Sequence, residues 1–312
     1  MKRIFDLIKK RVINFGKLLP AISYSIKVKT RIRGGASVYL HPVVFFKVIL
    51  RLFSAPFFKL DSICLPGEQG FEKKLNGLIR GRISLEKIDG RRFFDFDTFK
   101  VFVPNFKNAE NVILNDFREV YLDDVYAKHF LMGRPIKDND VVLDLGANIG
   151  GFSLWACSQG AGVKCYAVEP HPEIQKELEE NVALNRLEDQ IVRIGKCISS
   201  KNEKLRMSFN EDVFTMTRIS SSQGTVEVDA ISVDSLVDSL GLTKLDIIKF
   251  DIEGAERIAI AGATETLKKF KPKLALSGYH LVDDVYFLID QLLEIQPDYT
   301  IIVGSNMHIY AF

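Results

Sequence analysis

The segment VVLDLGANIGGF, residues 141–152, constrains the fold more than any other part of this chain. Its first five residues are apolar apart from Asp144, and they predict a buried parallel strand. Three glycines then mark a turn, and the apolar residues that follow indicate the start of a helix. A strand, a glycine turn and a helix in this order are typical of an open α/β sheet, in which a ligand approaches the backbone at the carboxyl edge.

A second predicted strand ends in an acidic side chain. The segment CYAVEP, residues 165–170, is apolar up to Glu169, which lies 25 positions after Asp144. Acids at the tip of the second strand of such folds bind a ribose diol, because one carboxylate can accept from both hydroxyls. Glu169 therefore predicts a nucleoside cofactor.

The glycine turn departs from the pattern of a dinucleotide site. In G-x-G-x-x-G the second glycine lets the pyrophosphate approach the backbone. Here Gly146 and Gly151 fill the first and third positions, but Asn148 occupies the second. The turn thus favours a ligand without phosphate, and a nicotinamide oxidoreductase is the weaker alternative. A turn that merely packs a helix on a strand is the other alternative.

Several motifs carry a resemblance to known methyltransferases. The spacing Asp144-x-Gly146-x-x-x-Gly150 is similar to the first motif of class I S-adenosylmethionine (SAM) methyltransferases. The segment LDIIKFDIEGAE, residues 245–256, resembles the hallmark of the FkbM-type methyltransferases, a family that mostly O-methylates sugar or polyketide hydroxyls. The resemblance covers about residues 116–312. Three further segments match the family pattern: EVYLDDVY (119–126), AVEPHPEIQKELEENVALN (167–185) and KPKLALSGYHLVDD (271–284).

Strand and helix patterns alternate from residue 141 onward, which predicts a doubly wound, mostly parallel α/β sheet. This is the Rossmann-like fold that the class I methyltransferase resemblance implies, closed by a C-terminal antiparallel hairpin at 299–303 and 308–312. The predicted strands are 141–145, 164–169, 191–198, 247–251 and 273–277, and the predicted helices are 152–158, 172–184, 231–240 and 283–293.

The residues before this domain predict two further regions. Residues 1–60 hold 13 Lys and Arg against one acid, whereas the remainder holds 29 basic and 39 acidic residues. Apolar side chains at helical spacing over 3–19 and 43–53 predict that residues 1–60 form a basic amphipathic helical arm. Short β-like runs around an Asp89-Gly90 turn predict a small antiparallel element within 61–115. The methyltransferase domain is then expected at 116–312.

The basic arm has two interpretations. It could lie in the plane of an anionic lipid surface, or it could pack on the acidic domain. No recognised nucleic-acid motif accompanies the charge, so a nucleic-acid partner is not expected.

Cysteine usage and hydropathy indicate the cellular location. We expect neither a signal peptide nor a transmembrane helix, because the longest apolar run, 42–58, is short and interrupted by charge. Four cysteines without paired spacing fit a reducing cytoplasm. A cytoplasmic protein, either free or peripheral on the inner face of the membrane, is therefore expected.

The resemblance implies SAM as the cofactor and assigns roles to the first motif. The turn from Gly146 to Gly150 would hold the methionine part, Asn148 the amino-acid end, and Glu169 the ribose. Asp144 either belongs to this site or caps the turn. Beyond the third strand, the hydroxyl of Ser199 is a candidate partner for the adenine amino group.

Asp251 and His280 end the predicted fourth and fifth strands. In SAM enzymes of this fold the end of the fourth strand faces the reactive methyl group. Asp251 or Glu253 would orient the acceptor hydroxyl, take its proton, or hold a divalent cation that does so. His280, with an imidazole pKa near about 6.5, suits deprotonation of a sugar hydroxyl. The alternative is that Glu253 and Glu256 favourably charge the first turn of a helix, which we prefer for Glu256.

Lys249 is unexpected inside a buried strand. Asp246, Glu253 and the substrate are its candidate partners, and the sequence does not choose among them.

These features predict a SAM-dependent O-methyltransferase. Its acceptor would be a hydroxyl on a sugar, a glycan or a related secondary metabolite, and a lipid-linked glycan would suit a membrane-bound arm. The competing hypothesis from another class is a non-catalytic adaptor, in which a degenerate methyltransferase domain is held at a membrane by the basic arm.

Overall fold

The structure is a computed structural model that describes residues 30–31, 37–40, 84–104, 109, 113, 136–208, 218–219, 226–281, 283–304 and 307–312. The helices predicted at 3–19 and 43–53, and the family segment at 119–126, lie outside these residues. Within the described residues, no helix is both long enough and apolar enough to cross a membrane.

Helices and strands alternate along the chain. The strands are β1 (Thr30–Arg31), β2 (Ser37–Leu40), β3 (Ser84–Ile88), β4 (Arg91–Asp95), β5 (Lys100–Phe102), β6 (Val141–Leu145), β7 (Lys164–Val168), β8 (Ile191–Ile194), β9 (Cys197–Ser199), β10 (Glu203–Ser208), β11 (Arg218–Ile219), β12 (Val226–Ser232), β13 (Ile247–Phe250), β14 (Lys273–Ser277), β15 (Ile301–Val303) and β16 (His308–Ala311). The helices are α1 (Gly151–Ser158), α2 (Pro172–Leu184), α3 (Val233–Ser239), α4 (Glu256–Ala261), α5 (Thr264–Phe270) and α6 (Asp284–Ile295).

The central sheet carries the predicted topology. Its strands run in the order β8-β7-β6-β13-β14-β16-β15, and the first five are parallel neighbours. Strand β16 is antiparallel to both β14 and β15, so the last two strands form the closing hairpin. The doubly wound α/β fold of the class I methyltransferases is therefore confirmed. At the β15 edge, β2 pairs in parallel and β1 pairs with β2, so the region predicted as a helical arm also supplies two short strands.

Both faces of the sheet are covered by helices. Side chains alternate along a strand, and in β13 Ile248 and Phe250 face one core cluster whereas Ile247 faces the other. Helices α3 to α6 contribute to the first cluster, and α1 and α2 to the second. A sheet buried on both faces explains the continuous apolar runs seen in the sequence.

The predicted small antiparallel element is a three-stranded sheet, β3-β4-β5. Its hairpin turns at Asp89 and Gly90, whose φ angles of 51° and 82° are both positive, as tight two-residue hairpin turns require. The sheet docks on α2 through asparagine side chains. Asn181 accepts from Phe102 N at 2.8 Å and donates to Ile149 O at 2.9 Å.

The structure corrects the predicted third strand. The run 191–198 breaks after Ile194: β8 stays in the central sheet, and β9 joins a second sheet of order β11-β10-β12-β9. The helix predicted from residue 231 begins later, because β12 runs to Ser232, whose hydroxyl caps α3 by accepting from Ser235 N at 3.2 Å. The sequence analysis gave no bounds for α4, although it weighed a helix whose first turn holds Glu253 and Glu256, and it omitted α5.

Candidate active site

The glycine turn after β6 touches the end of β13. Gly146 has φ +82°, and a Cβ at this position would lie 1.9 Å from the carbonyl oxygen of Asp251. Only glycine permits such a close approach. The backbone of the predicted cofactor turn and that of Asp251 are therefore in direct contact.

The rest of the turn is also held by backbone geometry. Gly150, at φ +98°, caps α1, and a Cβ there would lie 2.6 Å from Leu178 Cδ1. Asn148 adopts φ +49°, and its Oδ1 accepts from Ile149 N at 2.8 Å. The Asn148 side chain thus shapes the turn, and its contact with the amino-acid end of a cofactor stays a prediction.

Glu169 lies at the tip of β7 and is tied to the turn. Its carboxylate accepts from His171 N at 2.9 Å and from Asn148 N at 3.2 Å. Each oxygen keeps acceptor capacity for a further donor, because a carboxylate has about four lone-pair sites. Burial raises the pKa of Glu169 to about 7, although the two backbone donors oppose the shift. This geometry fits the predicted contact with a ribose diol.

A buried ion pair lies beneath the turn. Asp144 is fully buried, and its carboxylate accepts from Ser153 Oγ at 2.7 Å and from Lys249 Nζ at 3.1 Å. Lys249 also donates to Gly146 O at 2.9 Å and lies 3.8 Å from Asp251 Oδ2. Burial alone would lower the pKa of Lys249, but the charges of Asp144 and Asp251 hold it above its usual value.

The partner of Lys249, which the sequence left open, is Asp144. It is neither Asp246 nor Glu253, and the carboxylate of Asp246 instead lies 3.0 Å from Lys244 Nζ. Strand register explains the choice, since Lys249 and Asp144 are opposite each other in the paired strands β13 and β6. Asp144 therefore acts on the turn through Lys249, which also donates to Gly146 O. A direct contact between Asp144 and the cofactor stays a prediction.

Ser199 lies in β9, in the second sheet, and is almost fully buried. Its hydroxyl donates to Glu203 Oε1 at 2.7 Å. The proton of this hydroxyl is therefore used by Glu203, and the oxygen lone pairs stay available to an adenine amino group. That contact stays a prediction.

Three carboxylates surround His280. Its Nδ1 lies 3.0 Å from Glu256 Oε1, and its Nε2 lies 3.4 Å from Glu253 Oε2 and 4.0 Å from Asp251 Oδ1. The structure thus brings together the three residues predicted for catalysis. Glu253 has φ +55°, which turns the chain sharply between β13 and α4.

Glu256 is the member that the sequence did not assign to the site. It begins α4, as the helix-charging interpretation requires, and its Oε1 accepts from Ile252 N at 2.9 Å. Its side chain is nevertheless fully buried against His280. The sequence does contain a signal for its role, because Glu256 lies only three residues after Glu253, in the turn that follows the end of β13.

The charges of this cluster alter both titrating groups. Burial lowers the pKa of His280, but the nearby carboxylates of Glu253 and Glu256 outweigh it and raise the pKa to about 10. Burial would raise the pKa of Asp251, but Lys249 and His308 hold it below its usual value. At neutral pH the cluster therefore contains an imidazolium and an ionised Asp251. A neutral His280, which the predicted base role requires, is opposed by these surroundings.

The same cluster offers metal ligands. Asp251, Glu256 and His280 can each present one ligand atom, and these atoms lie within 4.8 Å of one another. Carboxylate oxygen and imidazole nitrogen are common ligands of divalent transition ions.

Sequence comparison identifies the family. The family model described as the methyltransferase FkbM domain matches residues 144–300, from the first motif to the closing hairpin. The chain belongs to the FkbM methyltransferase family. The resemblance drawn from the motifs is thereby confirmed, and the FkbM match includes every predicted site residue, from Asp144 to His280.

Individual relatives are more distant. The chain is 24% identical over 182 residues to the 31-O-demethyl-FK506 methyltransferase FkbM of Streptomyces tacrolimicus, covering 48% of this chain and 68% of that protein. It is 30% identical over 138 residues to the hexuronic acid methyltransferase AglP of Haloferax volcanii, covering 44% and 56%. The crystal structure of an FkbM methyltransferase from Methylobacillus flagellatus aligns with a TM-score of 0.47 and 21% identity, covering 63% of this chain and 48% of the other.

Proposed function

We propose that this FkbM-family methyltransferase is a SAM-dependent enzyme that O-methylates a hydroxyl of a sugar, a glycan or a related secondary metabolite. The observation that carries the proposal is the contact between the glycine turn and Asp251. Asp251 thus lies beside the turn predicted to hold the methyl donor, and Lys249 Nζ approaches both its ionised carboxylate, at 3.8 Å, and Gly146 O, at 2.9 Å. A sugar acceptor is supported by the relative AglP, which is named a hexuronic acid methyltransferase. Methyl transfer to oxygen is supported by the relative FkbM, which is named a 31-O-demethyl-FK506 methyltransferase.

The residues present fit SAM. The glycine turn admits a ligand close to the backbone, and Glu169 keeps acceptor capacity for two ribose hydroxyls. When bound, SAM supplies a sulfonium methyl group that an acceptor oxygen takes up as the sulfur–carbon bond breaks. The chain would hold the cofactor through Glu169 and the turn from Gly146 to Gly150.

Asp251 is the proposed proton acceptor. Its carboxylate is ionised at neutral pH, accepts a long hydrogen bond from Tyr279 OH at 3.4 Å, and lies 3.8 Å from Lys249 Nζ and 4.0 Å from His280 Nε2. As the acceptor oxygen gains the methyl group its proton becomes acidic, so that a nearby carboxylate can take it. His280, as an imidazolium, would orient the carboxylates of Asp251 and Glu253 rather than act as the base.

A labelled-methyl assay tests this function. The full chain is incubated with SAM labelled in its methyl group and with fractionated glycans, lipids and small metabolites. Mass spectrometry then identifies the species that gains the mass of one methylene, and Asp251→Asn should abolish that gain. Binding of SAM without any methylated product from these fractions would instead support the non-catalytic adaptor.

A further inference from the structure

A buried carboxylate oxygen in the cluster around His280 has no hydrogen-bond partner among the described residues. Glu256 is fully buried, and among the described residues its Oε2 receives no hydrogen bond. The other oxygen, Oε1, accepts from Ile252 N and faces His280. Leaving a charged oxygen buried without a partner is costly. Glu256 Oε2 therefore calls for a positive partner that the described residues do not provide.

We propose that Asp251, Glu256 and His280 bind a divalent cation, through one carboxylate oxygen from each acid and one imidazole nitrogen, and that His280 releases its proton to solvent as the ion binds. The three candidate ligand atoms lie within 4.8 Å of one another. Two ligands at about 2.2 Å from one ion are separated by about 3 to 4.4 Å, so small side-chain movements bring these atoms to bonding distance.

The charge of the surroundings favours a cation. The carboxylates of Asp251, Glu253 and Glu256 all approach the same imidazole, which can carry only one compensating charge. Glu253 lies at the rim with a partly exposed side chain, where it can attract an incoming ion. Lys249 donates to Asp144 and Gly146 and lies 3.8 Å from Asp251 Oδ2, whereas His280 approaches the other oxygen of Asp251.

The donor set also indicates the kind of ion. Mg²⁺ and Ca²⁺ prefer all-oxygen ligands, whereas a mixed set with an imidazole suits ions such as Mn²⁺ or Zn²⁺. Three protein ligands leave coordination positions open for an acceptor hydroxyl. The catalytic consequence, a more acidic hydroxyl next to the methyl donor, rests on the proposed function, but ion binding itself does not.

Metal binding can be measured on the full chain without cofactor or acceptor. A titration with Mn²⁺ should show one binding site per chain. It is monitored by calorimetry and by the loss of the electron paramagnetic resonance signal of free Mn²⁺. Glu256→Gln and His280→Gln should each weaken Mn²⁺ binding by about 10- to 100-fold or more, the range already seen when outer partners of a metal site are removed. Asp251→Asn is a third variant in case either of these fails to fold.

Glu265→Gln is the matched control, since Glu265 is an exposed carboxylate on α5 paired only with Lys268 at 3.3 Å. It should bind Mn²⁺ as the unaltered chain does. The proposal is overturned if the unaltered chain binds no Mn²⁺, or if folded ligand variants bind it as tightly as Glu265→Gln. Because SAM binding and methyl transfer are measured separately, an unaltered chain that transfers methyl groups but binds no Mn²⁺ contradicts only the metal site. Loss of methyl transfer in a chain that binds Mn²⁺ contradicts the proposed function.

Discussion

Replacing Lys249 by Met should strongly destabilise the protein. Lys249 and Asp144 are 5% and 0% exposed, and their charged atoms lie 3.1 Å apart. At an effective dielectric constant of about 20, two charges at this distance attract by about 5 kcal/mol. Lys249→Met leaves Asp144 buried and uncompensated, and breaking such a pair from one side costs roughly 3–5 kcal/mol. We expect a loss of that size in the free energy of unfolding.

Urea denaturation of a double-mutant cycle measures this loss. Asp144→Asn keeps the shape of the side chain and an oxygen for the hydroxyl of Ser153, but it removes the charge. The double variant Lys249→Met, Asp144→Asn should therefore be less destabilised than the sum of the two single variants, by about 2 kcal/mol or more. Additive losses, or a loss below about 1 kcal/mol for Lys249→Met, would refute the inference that these two charges stabilise each other.

The remaining predictions concern ligands. Glu169→Ala should weaken SAM binding by about 1.5–3 kcal/mol, the range for a hydrogen bond to a charged group, and unchanged affinity by calorimetry would contradict the ribose assignment. Because burial raises the pKa of Glu169 to about 7, SAM affinity should be full at higher pH and fall as pH drops below 7, when the carboxyl takes a proton and loses an acceptor. In Glu169→Gln this dependence should disappear. Asp251→Asn and His280→Ala should bind SAM almost normally but lose turnover, Asp251→Asn by about 10²- to 10⁴-fold, and full turnover in both would remove these residues from catalysis. The full chain should co-sediment with anionic vesicles at low salt, and replacing the basic residues at 9–11 by Glu should reduce this; a chain that stays in the supernatant supports an arm packed on the domain.

The sequence predicted the central sheet well, for a physical reason. Strands buried on both faces are continuous apolar runs, and β6 and β14 have the predicted bounds. Helix α2 also has its predicted bounds, because Pro172 begins it and its apolar residues recur at helical spacing. Since ligands bind at the carboxyl ends of parallel strands, Asp251 and His280 could be placed at one edge without coordinates, and the structure brings them together.

What the sequence missed depends on register and on three-dimensional packing. The partner of Lys249 follows from the pairing of β13 with β6, which joins residues 105 positions apart in the chain. Glu256 looked like a helix-charging residue because nothing in a one-dimensional pattern shows that the first turn of α4 faces His280. The prediction for the third strand, 191–198, is too long because its last residues belong to β9, which pairs with β12 in another sheet.

Asn181 has a consequence for how this catalytic unit can be divided. This single buried side chain accepts a hydrogen bond from the backbone N–H of Phe102 in β5 and donates one to the carbonyl oxygen of Ile149 in the glycine turn. Phe94, Phe96 and other apolar side chains of the small sheet lie in the same core as Trp155 of α1. A chain shortened to the part that matches the family would lose that hydrogen bond and expose that core next to the turn. For recombinant expression, or for domain exchange between relatives, residues 84–104 should therefore be kept together with the methyltransferase domain.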